Sequence, residues 1–381
     1  MPFQLSCTLC DKFHDSSIYR LFCGHCDGLL DITYDLNPVL NDRIVKGASG
    51  TERFLPTLPI NDPKNLVTLG EGDTPVIELP TVGESLGLTN LYGKMEYFNP
   101  TGSFKDRGNA VQVSVLKETG VTDVADITGG NGGLSFAAYC ARAGINCHGF
   151  TNPKDPIPPK LRAILLHGVD IHWAEGFRSE VEEASVRFAE SIGAVSMMYS
   201  SNIYFIEGLK PIAYEIGVQM NPLPDHIIAP ASNGSILQGL WRGFTEMLED
   251  GRIERIPRLH AAQTEQVQPI VAACNGNSWT RPDYVDSVAT GILGGDPPRL
   301  NDLVRLIDET DGRAVAVNEE SIIFWQARLA KLEGIFVEPT SAIVLGALEK
   351  LVESNVISAH ETVLVPFTAY GGKESIPVTE L

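Results

Sequence analysis

From residue 90 onward, apolar and polar positions follow two alternating rhythms. Short runs such as "NLYGKMEY", "DVADIT", "INCHGF", "VDIHWAE", "HIIAPA", "RLHAAQ" and "ETVLVPFT" are dense in apolar and β-branched residues and read as strands. Longer stretches between them read as helices: "KDRGNAVQVSVLKETG", amphipathic and ended by Gly120, "GLSFAAYCARAG", capped by Gly144, and "PPKLRAILLHG", "SEVEEASVRFAESIG", "KPIAYEIGVQM", "SILQGLWRGFTEML", "EESIIFWQARLAKLEG" and "SAIVLGALEKLVES". Such alternation predicts an α/β protein with parallel sheets wrapped by helices. The order loosens at "MMYSSNIYFIEG". This divides the chain into a small α/β domain at 109–204, inserted in a larger one at 36–108 and 205–381. A ligand is expected in the cleft between them.

A length of 381 residues suits two domains, and 43% hydrophobic with 20% charged residues is the composition of a soluble globular protein. No apolar run approaches the ~20 residues that cross a bilayer. The opening MPFQLSCTLC lacks the basic and apolar regions of a secretory leader, so a cytoplasmic location without membrane attachment is expected. A formal charge of −19, spread along the chain, repels phosphate backbones and argues against nucleic acid as a partner.

The first 35 residues stand apart as a zinc-ribbon-like knuckle. Cys7-x2-Cys10 and Cys23-x2-Cys26 are two pairs whose spacing can bring four thiolates around a structural Zn²⁺. His14 and His25 lie close enough to substitute, but four sulfurs already close the shell. Cys140, Cys147 and Cys274 sit in apolar surroundings and read as packing residues.

Four strand-to-helix junctions have unusual composition. In "NPTGSFKDRG", Asn99 to Gly108, Lys105 follows a Pro/Gly turn and opens a helix. The positive end of the helix dipole helps to depress its pKa, and such a lysine can form a Schiff base. In "TGGNGGLS", glycines let backbone approach a ligand, and Asn131 offers an oriented hydrogen bond. In "APASNGSILQG", backbone N–H groups from Ser232 to Ile236 can cradle a phosphate at a helix N-terminus, with the Ser232 and Ser235 hydroxyls in support. This loop lacks the lysine of a Walker motif and the spacing of a dinucleotide fingerprint. Thr368, in "VPFTAYGGKE", carries a hydroxyl that can bond a neutral aromatic nitrogen. Taken singly, each loop is as readily an ordinary turn as a ligand loop. Together they describe a site for pyridoxal 5'-phosphate.

Those loops, the cysteine head with "DITYDL", and "GEGDTP", "AAYCARAG", "IEGLKPIAYEI" and "VEPTSAIVLGAL" make the chain resemble the threonine synthase family of fold-type II pyridoxal-phosphate enzymes over nearly its whole length. The resemblance implies two three-layer α/β domains of the tryptophan synthase β type. It also implies a small amino-acid substrate, a homodimer, and Lys105 as the lysine that carries the cofactor. Phe104 would lie beside that lysine, Asn131 near the cofactor's 3-hydroxyl, Ser232, Asn233, Gly234, Ser235 and Ile236 around its phosphate, and Thr368 at its ring nitrogen. The implied reaction eliminates a β- or γ-leaving group, that of O-phosphohomoserine in the family, and adds water or another nucleophile.

Two departures bear on the substrate, whose binding positions would be Thr128, Gly129, Gly130, Gly132, Ser200 and Phe205. The asparagine loop resembles "STGNTS" but has glycines in place of hydroxyls. Phe205 stands where the family has an arginine resembling a substrate-phosphate clamp. A phenyl ring cannot make the charged bonds of a guanidinium, worth ~1.5–3 kcal/mol each. Lys210 and Arg299 are candidates to supply charge from another direction, and the alternative role for Phe205 is to pack a wall between the domains. β-Replacement on O-phosphoserine or another activated serine, serine or threonine deamination, and a non-catalytic cofactor-binding regulatory paralogue remain alternatives.

Overall fold

The computed structural model describes residues 3–34, 44–154, 156–176, 178–197 and 199–374. At the N-terminus, β1 (Phe3–Cys7), β2 (Phe13–His14) and β3 (Leu30–Tyr34) form an antiparallel sheet in the order β2-β1-β3. Alternation along β1 turns Phe3, Leu5 and Cys7 inward, and the register sets Leu5 opposite Ile32. Ten further strands follow: β4 (Val76–Glu78), β5 (Asn90–Lys94), β6 (Asp123–Ile127), β7 (Asn146–Thr151), β8 (Asp170–Trp173), β9 (Val195–Ser196), β10 (His226–Pro230), β11 (Arg258–Thr264), β12 (Ala314–Val317) and β13 (Thr362–Pro366). They build a four-stranded parallel sheet, β8-β7-β6-β9, and a six-stranded sheet, β12-β11-β10-β13-β5-β4, in which only the edge strand β4 runs antiparallel.

The described chain divides into two compact units, residues 1–72 with 105–208 and residues 73–104 with 209–381. These bounds differ from the division read off the sequence. The segment up to Gly72 belongs with the smaller sheet, and the later switches fall at Lys105 and Gly208. The 35/36 boundary lies outside the described residues. The reason is packing: Phe3, Leu5 and Ile32 of the head and Leu55 and Ile60 share one apolar cluster with Val115, Ile203 and Ile206. The head is thus built onto the first unit's core.

In the first unit, Val124 packs with the helices Lys105–Glu118 and Asn131–Ala143, while its neighbour Ala125 packs with the helix Arg178–Ile192, so helices cover both faces of the sheet. The expected amphipathic helix at 105–118 is not amphipathic: every residue from Asp106 to Leu116 is buried. Its polar side chains bond internally instead of to water. Ser114 Oγ accepts from Val67 N at 2.7 Å and donates to Ala110 O at 2.6 Å, and Gln112 Oε1 accepts from Asn202 Nδ2 at 2.7 Å. In the second unit, Ile228, Ala262, Val317, Val363 and Val365 form one core with the helices Glu319–Glu333 and Pro339–Glu353. No helix among the described residues is long and apolar enough to cross a membrane.

Candidate active site

The Asn99–Gly108 run is shaped by its turn. Gly102 takes φ 76°, its N–H donates to Asn99 O at 2.7 Å, and the Asn99 amide donates to Glu96 O at 2.6 Å. Within the second unit, Phe104 N donates to Thr368 O at 3.0 Å, and Ser103 pairs with Ala369. The Ser103 hydroxyl is buried with no hydrogen-bond partner. The next residue, Lys105, begins the buried helix of the first unit.

Lys105 is half-buried, and its Nζ lies 5.4 Å from the centre of the Phe205 ring. Burial pushes its ammonium down to about 7. Phe205 itself is fully buried and covers Gly108, one turn into the lysine's helix, where an added Cβ would come within 2.3 Å of the ring. Gly208 meets the same backbone, since a Cβ there would lie 2.4 Å from Arg107 O. The ring is therefore a packing element of the first unit beside the lysine. Lys210, a candidate for compensating charge, is buried and bonded to Glu246 at 2.7 Å. Arg299 is buried and lies 3.7 Å from Asp302.

The asparagine loop is also in the first unit. Gly129 takes φ 145°, and Gly130 caps the helix Asn131–Ala143 with open space where a Cβ would stand. The helix starts at Asn131, two residues before the expected start at Gly133, which leaves the asparagine half-buried at its first turn. The Thr128 and Ser135 hydroxyls are buried without hydrogen-bond partners. Thr128 is wedged against Gly133, whose added Cβ would fall 2.0 Å from its Oγ1, so Gly133 is needed for that fit. Ser200 is half-buried in a short 3-10 turn, Tyr199–Ser201.

The second unit supplies the other two loops. After β10, Gly234 takes φ 68° at the cap of the helix Ser235–Glu249, where Leu303 leaves no room for a Cβ. Ser232 Oγ accepts from Gly294 N at 3.2 Å. The first-turn amides of this helix have no intrahelical acceptors, as in any helix. Thr368 is buried just beyond β13, with its Oγ1 2.8 Å from Ser341 Oγ. Ser341 Oγ accepts from Ala369 N at 2.9 Å, so its own proton can go to Thr368, leaving the threonine proton for a ligand. Ser341 lies in "VEPTSAIVLGAL", a stretch the sequence reading singled out without giving this residue a role.

In the head, the Sγ atoms of Cys7, Cys10, Cys23 and Cys26 lie within 4.8 Å of one another, with separations of 3.5 Å for Cys7–Cys26 and Cys10–Cys26 and 3.7 Å for Cys10–Cys23. Four sulfurs about 2.3 Å from one Zn²⁺ would be about 3.8 Å apart. Leu9 N and His25 N donate to Cys7 and Cys23 Sγ, both at 3.4 Å, and His14 Nε2 is 3.2 Å from Cys23 Sγ.

Taken unit by unit, the orphaned Thr128 and Ser135 hydroxyls, the open glycine loop and the lysine of lowered pKa in the first unit suit a hydrogen-bonding carbonyl cofactor, and the glycine-capped helix start in the second suits a phosphate. Comparison with known proteins agrees. The family described as pyridoxal-phosphate dependent enzyme matches residues 67–369. The threonine synthase of Methanocaldococcus jannaschii is 34% identical over 97% of this chain and 92% of its own, and that of Mycobacterium leprae 33% identical over 83% and 86%. Among solved structures, maize serine racemase superposes with a TM-score of 0.69 at 20% identity, covering 80% of this chain and 90% of its own. Threonine deaminase isoform 2 from Solanum lycopersicum gives 0.68 at 16% identity over 78% and 79%, and both share the fold. With relatives this similar over nearly its entire length, the chain belongs to the threonine synthase family and is a pyridoxal-phosphate-dependent lyase that eliminates and then adds on a small amino-acid substrate.

Proposed function

We propose that the chain is a threonine synthase-type enzyme in which Lys105 carries the cofactor and moves the substrate's protons, with an O-phosphorylated amino acid such as O-phosphohomoserine as substrate. The observation that carries this reading is the lysine itself: it opens a helix after a Pro/Gly turn, and burial brings its amine to about 7. Such an amine is neutral often enough near neutral pH to attack an aldehyde and then to take a proton at Nζ. Pyridoxal phosphate, when bound, supplies an electron sink for charge developing at the substrate's α-carbon. Asn131 would hold its 3-hydroxyl, the Ser232–Ile236 amides and hydroxyls its phosphate, and Thr368, oriented by Ser341, its ring nitrogen. Phe104 would border it. Thr128, Gly129, Gly130, Gly132 and Ser200 would border the substrate, with Phe205 excluding water beside Nζ. The four head cysteines would hold a structural Zn²⁺, supported by their sulfur spacings. A cytoplasmic homodimer completes the reading.

Phe205 favours a second substrate class, because a phenyl ring at this corner gives no charged bond to a phosphate leaving group. A serine activated by acetylation, or another neutral leaving group, is the alternative. The test is a screen of O-phosphohomoserine, O-phosphoserine, O-acetylated hydroxy amino acids and free serine and threonine, following phosphate or acetate release and the amino-acid product. Threonine and phosphate from O-phosphohomoserine support the first reading. Turnover confined to acetylated or free amino acids replaces it with the second.

A further inference from the structure

On the face of the smaller sheet covered by the helix Arg178–Ile192, three side chains converge. β7 and β8 pair in parallel with His148 opposite Asp170 and Phe150 opposite His172, so all four project on one face. His148 Nδ1 is 3.4 Å from His172 Nε2 and 3.5 Å from Asp170 Oδ2, and His172 Nε2 is 3.3 Å from that same oxygen. Two imidazole nitrogens and a carboxylate oxygen thus form a nearly equilateral triangle. Donor atoms about 2.0–2.1 Å from a tetrahedral metal ion are about 3.3–3.4 Å apart, close to these edges.

The surroundings hold the rings in that attitude. Phe150 stacks on His172 at 4.7 Å with an interplanar angle of 9°, and Phe188 packs on His172 at 4.5 Å and on His148 at 4.9 Å. The second nitrogen of His148 faces a carboxylate, Asp123 Oδ1, at 3.9 Å. Asp123 is fixed in turn by Thr122 at 2.7 Å and Asn146 at 2.9 Å. A metal-bound histidine whose other nitrogen is turned to a carboxylate is a recurrent second shell of metal sites. The Asp170 side chain is 67% exposed, against 16% and 28% for the two histidines, so an ion can reach the triangle from solvent.

We propose that His148, Asp170 and His172 form a second cation site, distinct from the cysteine cluster, that takes a borderline divalent ion of the Zn²⁺ class with water in the fourth position. Two imidazoles and one carboxylate suit zinc rather than calcium or magnesium, which prefer all-oxygen shells. The ion would join β7 to β8 beneath the Phe188 helix. Zinc titration calorimetry on the intact protein, its cysteine cluster already filled with zinc, tests the site. About one further equivalent should bind to the wild-type chain and none to His148→Gln/His172→Gln. Asp123→Asn should bind about 10-fold more weakly, as loss of a second-shell partner does. Thermal unfolding should shift upward with zinc in the wild type but not in Asp170→Asn, an exposed change compatible with folding. Equal stoichiometry in wild type and double variant, or no uptake beyond the cysteines, would overturn the proposal and leave the imidazoles as partners for each other and for Asp170.

Discussion

Lysines at buried positions in the two units have opposite fates. In the second unit, Lys94 is fully buried with Nζ bonded to Glu215 at 2.7 Å, Thr74 O at 2.7 Å and Gln219 at 2.9 Å, and Lys210 is bonded to Glu246 at 2.7 Å. In the first unit, Lys105 has the Phe205 ring beside its amine, and desolvation drives its pKa down. An ammonium tied to a carboxylate, as at Lys94 and Lys210, is a structural tie, whereas desolvation at Lys105 favours the neutral amine and so a base.

The largest effect is expected at Lys105. Lys105→Ala should lower turnover by about 10³-fold or more, with borohydride no longer fixing pyridoxal phosphate to the chain. Glu215→Gln leaves a buried charge uncompensated and should cost about 3–5 kcal/mol in denaturant unfolding, while Lys94→Met with Glu215→Leu should recover most of that loss. Gly108→Ala drives a methyl group into Phe205 and should cost about 1–3 kcal/mol, partly relieved by Phe205→Leu in the same chain. Ser341→Ala removes one hydrogen bond from Thr368 and should weaken cofactor retention by about 1 kcal/mol, roughly fivefold in equilibrium dialysis. A Thr368→Val change that left retention untouched would remove this threonine from the cofactor site.

Sequence motifs mark the three places where the chain passes from one unit to the other. The switches at Gly72–Asp73, Phe104–Lys105 and Gly208–Leu209 fall within "GEGDTP", "NPTGSFKDRG" and "IEGLKP". Glycine, proline and charged residues collect there because close backbone approach and buried polar bonds are local demands. Glu71, for example, is buried and accepts from its chain neighbours Thr68 Oγ1 at 3.1 Å and Leu69 N at 3.0 Å. Strand and helix alternation was legible for the same reason. What escaped depends on distant partners. Lys94 ends β5 within "NLYGKMEY", where nothing local reveals Glu215. The helix from Lys105 carries enough polar residues to read as half-exposed, yet its bonds lie inward. His148, Asp170 and His172 form no local motif and meet only through the β7–β8 register. Phe205 was visible as a departure, but its contact with Gly108 was not.

Stability should follow the same lysine. In the unfolded chain its pKa returns to about 10.4, so without cofactor the folded form binds fewer protons between about 7 and 10 and gains stability as pH rises through that window. The most direct measurement is the pH dependence of pyridoxal phosphate attachment to cofactor-free protein, trapped with borohydride and mapped by peptide mass. A label on Lys105 with an attachment rate that rises through a midpoint near 7 is the predicted result. A midpoint near 10, or a label on another lysine, would contradict the account.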